Sequence, residues 1–106
     1  MATTQIQVTA ADNELLLIAS TPAGSSTLLH YKSGYNRPVN VTVFPGAILG
    51  TGSYSLTMVG VNWGGPSKFT VVVTTDGKAQ TYQGGGSTSA GDVWHQTISM
   101  NVIAGE

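Results

Sequence analysis

The sequence contains no cysteine, which rules out disulfides and every thiolate metal site. It also leaves the compartment open, since a chain without thiols tolerates oxidising and reducing surroundings alike. Charge is nearly missing too. Asp, Glu, Lys and Arg make up 8% of the residues, against about 25% in an ordinary soluble domain. The basic residues Lys32, Arg37, Lys68 and Lys78 form no run. A phosphate backbone needs a clustered basic face, so nucleic acid is an unsuitable partner. The same scarcity gives little attraction to anionic lipid. No apolar stretch approaches the length of a membrane-spanning helix, the longest covering residues 15–19. The first residues, Met1-Ala2-Thr3-Thr4, lack the basic start and apolar core of a signal peptide. The localisation stays open, and this start is compatible with cytoplasmic synthesis and non-classical release.

Helix signals are absent as well. No segment repeats apolar residues at i, i+3 and i+4 between caps, and the expectation is no helix of any length. What is present is alternation. Residues 4–9 place Ile6 and Val8 on one side; residues 38–44 do the same with Val39, Val41 and Val43. Phe69, Val71 and Val73 alternate within 68–75, and Trp94, Ile98, Met100 and Val102 share a face of 92–103. Further strands are read over 14–20, 27–32, 54–61 and 78–83. Pro38 is compatible only with a strand's first position. Residues 45–52 form a longer connection with Ile48 and Leu49 tucked beneath it. The dipeptide Asp76-Gly77 between two β-rich runs is a strong hairpin signal, because both turn positions need positive φ. Residues 54–61 and 68–75, separated by Asn62-Trp63-Gly64-Gly65-Pro66-Ser67, read as a second hairpin, giving a three-stranded meander. The sum is a single domain over residues 1–106. Its fold class is an all-β antiparallel β-sandwich of about eight strands, with barrel-like closure as the alternative.

Residues 14–20 run Glu-Leu-Leu-Leu-Ile-Ala-Ser without alternation. Such a strand is covered on both faces, by the second sheet's edge or by another subunit over Leu16 and Ile18. With few charges to keep copies apart, a homo-oligomer is expected.

Function has to be read from loop placement. If eight strands alternate in direction, loops 11–13, 33–37, 62–67 and 84–91 gather at one end. That end collects Asp12, Asn13, Tyr35, Asn36, Arg37, Asn62 and Trp63, with Asp92 beside it. The opposite end holds small, prolyl and glycyl residues. An aromatic plate with amide, carboxylate and guanidinium groups suits a sugar ring, which offers a C–H face and a rim of hydroxyls. The expected activity is therefore a non-enzymatic, lectin-like carbohydrate-binding module, its partner a neutral saccharide or glycoconjugate. Trp63 and Tyr35 could equally cap the sandwich end, and Asp12, Asn13 and Asn62 are ordinary turn residues. Trp94 is assigned to the core. His30 is assigned to a half-buried position among leucines, and His95 to the opposite face of its strand from Trp94.

Catalysis is poorly supported. Two histidines, five acids and no cysteine offer little acid–base machinery, and no nucleophile, zinc or phosphate-loop motif occurs. No cofactor and no metal are expected. The two other classes compatible with this composition are a small pore-forming or insecticidal-type toxin and a structural self-assembling subunit.

Overall fold

The structure is a computed structural model and describes residues 4–33, 39–65, 67–85 and 89–103. Eight strands follow in chain order. They are β1 (Gln5–Asp12), β2 (Glu14–Thr21), β3 (Gly24–Lys32), β4 (Val41–Val43), β5 (Gly52–Val61), β6 (Lys68–Thr75), β7 (Lys78–Gly85) and β8 (Val93–Val102). They form two antiparallel sheets of order β4-β1-β6-β7 and β3-β2-β5-β8. Neither sheet closes on itself, so the fold is an open sandwich rather than a barrel. Among the described residues one 3₁₀ turn, Pro45–Ala47, interrupts the all-strand pattern.

The alternating residues account for the core. Ile6, Val8, Leu15, Leu17, Leu56, Met58, Phe69, Val71 and Val102 are all but inaccessible to solvent and meet between the sheets. Burying side chains of this size contributes about 1.5–3 kcal/mol each. Asp76 and Gly77 adopt φ of 53° and 79° between the paired residues Thr75 and Lys78, the two-residue turn that the dipeptide specifies.

Several expectations need correction. Residues 54–61 and 68–75 form no hairpin: β5 pairs with β2 and β8, whereas β6 pairs with β1 and β7. The intervening loop is an arch crossing from one sheet to the other, so the three-stranded meander does not exist. β4 is shorter than the alternation of 38–44 suggests, although Val39 is still buried. Pro38 lies outside the described residues. Leu49 packs on the core but Ile48 is exposed. The opposite sheet, β4-β1-β6-β7, covers Leu15, Leu17 and Ala19, while Leu16 and Ile18 point to the outer face and stay half-buried there.

The topology has one consequence for function. β1 to β2, β3 to β4, β5 to β6 and β7 to β8 are all crossings between the sheets. The registers Asp12↔Lys68, Glu14↔Lys32, Glu14↔Val61, Val61↔Val93 and Lys68↔Gly85 set these crossings at one end of the sandwich.

Beneath that end the two sheets interlock. Phe69 on β6 and Trp94 on β8 stack with centroids 5.6 Å apart and planes 9° from parallel. Each aromatic has a glycine as its cross-strand neighbour, Gly84 beside Phe69 and Gly60 beside Trp94. Each also sits over the other's glycine. A Cβ on Gly60 would come within 2.7 Å of the Phe69 ring, and one on Gly84 within 2.4 Å of the indole. Both distances are inside van der Waals contact, so the missing side chains are what admit the rings.

Candidate functional site

Two asparagines brace the arch end. Asn13, between β1 and β2, donates its backbone N–H to Val61 O (3.1 Å) and accepts from Ser33 N at its carbonyl (2.6 Å). Its side-chain Oδ1 accepts the backbone N–H of Trp63 at 2.7 Å. This one residue therefore ties the ends of β3 and β5 to the first arch. Asn62 does the same on the other flank. Its Nδ2 donates to Gly65 O (2.9 Å) and Ser89 O (3.2 Å), and its Oδ1 accepts from Gly64 N (3.1 Å). Its backbone N–H donates to Asp92 O at 2.9 Å, and its carbonyl accepts from Gly91 N. An asparagine carries both donors and an acceptor on one planar amide, which is why it can close a tight turn and bind a second loop together.

Trp63 stands between these braces with 62% of its surface exposed. Its indole N–H donates to Glu14 Oε1 at 2.9 Å. The other carboxylate oxygen of Glu14 is hydrogen-bonded to His30 Nε2. The result is a chain of three side chains, Trp63, Glu14 and His30, drawn from the β5–β6 arch, β2 and β3. Glu14 is the hub, with 16% of its side chain exposed, and His30 is the open end at 47%. A ring fixed at its backbone N–H and its indole N–H has lost most of its freedom while its faces stay open. Stacking on it therefore costs little further ordering.

The hydrogen bonds from His30 and, second, from Trp63 hold the Glu14 carboxyl below its ordinary value of 4.5, with the charges of His30 and Lys32 acting the same way against partial burial. A depressed carboxylate favours the folded state above its unfolded pKa and loses that contribution as pH falls through the folded one. The Glu14 contribution should thus be complete above about pH 5 and vanish on acidification below the ordinary carboxylate range. Melting temperature and tryptophan emission followed against pH should show an acid limb that is shallower in Glu14→Gln than in the parent. Superimposable limbs in the two proteins would mean that Glu14 is not clamped.

The residues expected at a site fall into three groups. Asn13 and Trp63 adjoin as described, and Asp92 is tied to the same end through Asn62 and is exposed. Asn62 and Asp12 are placed at this end but buried, at 1% and 6% exposure. The Asn62 amide is spent inside the protein, so it shapes the loop and presents nothing to a ligand. Asp12 is likewise buried, and among the described residues its Oδ1 has no hydrogen-bond partner. Tyr35, Asn36 and Arg37 lie outside the described residues. The meeting of Glu14 and His30 was not anticipated; His30 is about half exposed, opposite Leu16, and its partner is the Glu14 carboxylate. The available signal was parity, since Glu14 shares its strand face with Leu16 and Ile18.

On the far flank of the Asn62 arch, a cleft of about 190 Å³ is lined by Ser67, Phe69, Gly85, Asp92, Val93 and Trp94. Among the described residues no group of three or more His, Asp or Glu side chains is placed to hold a metal ion, and no helix is long and apolar enough to cross a membrane.

No family model matches the sequence, and no curated protein or solved structure matches it.

Proposed function

We propose that the arch end binds a neutral saccharide without catalysis, with Trp63 as the stacking plate and Glu14 and His30 as the polar rim, in a protein that works as a homo-oligomer. The observation that carries this reading is the state of Trp63. A tryptophan 62% exposed yet clamped at both of its N–H groups is positioned rather than merely left outside. Tryptophan, with an apolar body and a polar N–H at one end, is enriched at binding interfaces. Both Glu14 oxygens already accept one hydrogen bond, but a carboxylate oxygen has a second lone pair. Sugar hydroxyls can therefore be received without breaking the clamp. Asp92, exposed nearby, extends the polar rim toward the β7–β8 arch.

The test is a glycan array on the intact protein, followed by titration of the strongest neutral glycan into Trp63→Ala. Removing the plate should weaken binding about 10- to 100-fold, the effect of about 1–3 kcal/mol typical of an aromatic anchor. The melting temperature should move little, because most of the indole is already in solvent. Unchanged affinity in Trp63→Ala would remove the site from this end of the molecule.

A further inference from the structure

The four edges of the sandwich are unequal. β4 has three residues and runs into the Pro45–Ala47 turn. β7 opens on Lys78 and ends at Gly85, whose φ is +112°. β3 carries a bulge opposite Leu17 and Ile18 and ends in His30, Tyr31 and Lys32. Short length, lysine, distorted ends and bulges are the devices that stop an edge from pairing with another chain. β8 has none of them. It spans ten residues with no proline, no glycine and no Lys, Arg, Asp or Glu, and its register with β5 is unbroken from Gly52↔Val102 to Val61↔Val93. No described strand pairs with its other side. Among the described residues its free side is tied at its end, where Thr4 Oγ1 donates to Asn101 O and accepts from Ile103 N, both at 2.8 Å, and Thr4 N–H donates to Ile103 O at 2.9 Å.

We propose that β8 pairs antiparallel with β8 of a second copy of this chain, about a two-fold axis at Thr97. Residues 94–100 then form the joint, and two four-stranded sheets become one of eight. The chemistry of the strand favours a copy of itself over a foreign peptide. On the exposed face Thr97 meets Thr97 and His95 meets Ser99. On the inner face Gln96 meets Ile98, and Trp94 lies across from Met100. No carboxylate, lysine or arginine is set against its own image. Threonine pairs are among the favourable cross-strand neighbours, and a thioether beside an indole is a favourable contact. A net charge of −1 gives two copies little long-range repulsion. This joint specifies the homo-oligomer of the functional reading above. It also sends the two arch ends in opposite directions, so that one dimer bridges two glycans instead of gripping one surface twice.

The absence of cysteine makes the experiment clean. Thr97→Cys should oxidise to a covalent dimer at micromolar protein, because directly opposed residues of an antiparallel pair have Cα atoms within disulfide reach. Thr27→Cys, exposed on the opposite edge strand β3, should cross-link at least tenfold more slowly. Thr97→Lys, placing like charges on the axis, should sediment as a 10.9 kDa monomer whose melting temperature, unlike the parent's, does not rise with protein concentration. Equal cross-linking of the two cysteine variants, or a parent that is monomeric throughout the micromolar range, would overturn the proposal. So would a Thr97→Lys protein that remains dimeric. Glycan binding is read separately on Trp63→Ala, which leaves β8 untouched, so that failure of the site and failure of the joint are told apart.

Discussion

Phe69→Ala is expected to lower the free energy of unfolding by about 3–5 kcal/mol, the cost of truncating a fully buried aromatic. The ring is 1% exposed, so its loss leaves a cavity facing Gly60, a residue with no side chain to fill it. It also removes the parallel partner of Trp94, a contact worth about 0.5–1.5 kcal/mol beyond area alone. Domains of this size have about 5–15 kcal/mol in hand, so the variant should sit close to its unfolding threshold. Urea melts of parent and variant measure the difference. A change below about 1 kcal/mol would mean that the two sheets are not interlocked through this stack.

Asn62→Ala should come second, at about 2–3 kcal/mol, for a different reason. The substitution leaves the Gly64 N–H and the carbonyls of Gly65 and Ser89 without their side-chain partner. A polar group stripped of its bond costs about 1–3 kcal/mol where water cannot replace it. Gly65 and Ser89 are exposed, so water recovers part of the loss, and the total stays below the sum of the three. Asn62→Asp should be no milder than alanine, because a carboxylate would face two carbonyl oxygens. Thermal melts give the stability. Loss of order in the loop should also release Trp63, so its emission should shift further red in Asn62→Ala. A stable variant with unaltered emission would show that Asn62 does not brace this end.

The strands were legible because burial imposes a period of two on any strand with one covered face. Ile6 and Val8, or Phe69, Val71 and Val73, could hardly be read otherwise. The Asp76-Gly77 turn was legible because its chemistry is local. The loop at residues 62–67 was not, since a hairpin and an arch between sheets draw on the same turn-forming residues. What separates them is the partner each strand finds, and those partners lie far away in sequence, Leu15 for Gly60 and Ala11 for Phe69. A hint existed in Gly60 and Gly84, glycines inside strands that often mark close approach by another group. The site divided in the same way. Strand parity was enough to gather Asn13, Asn62, Trp63 and Asp92 at one end. It could not say that Asn62 turns inward, nor that Glu14 and His30, sixteen positions apart, meet beside the indole. That meeting depends on the register of β2 against β3, where Glu14 lies opposite Lys32 and Leu16 opposite His30. The two-residue link between Thr21 and Gly24 sets that register near the turn, but the bulge opposite Leu17 and Ile18 shifts it by one residue, and no residue in either strand announces the bulge.

The central claim is that Trp63 is an open, clamped plate for a sugar. Its most direct test is emission from Trp63 alone, in a Trp94→Phe background that keeps an aromatic ring stacked on Phe69. Iodide should quench this emission efficiently, and a saturating neutral glycan chosen from the array should both shift it and protect it from iodide. Emission that iodide cannot reach would contradict the account, as would emission that responds to no glycan the protein binds.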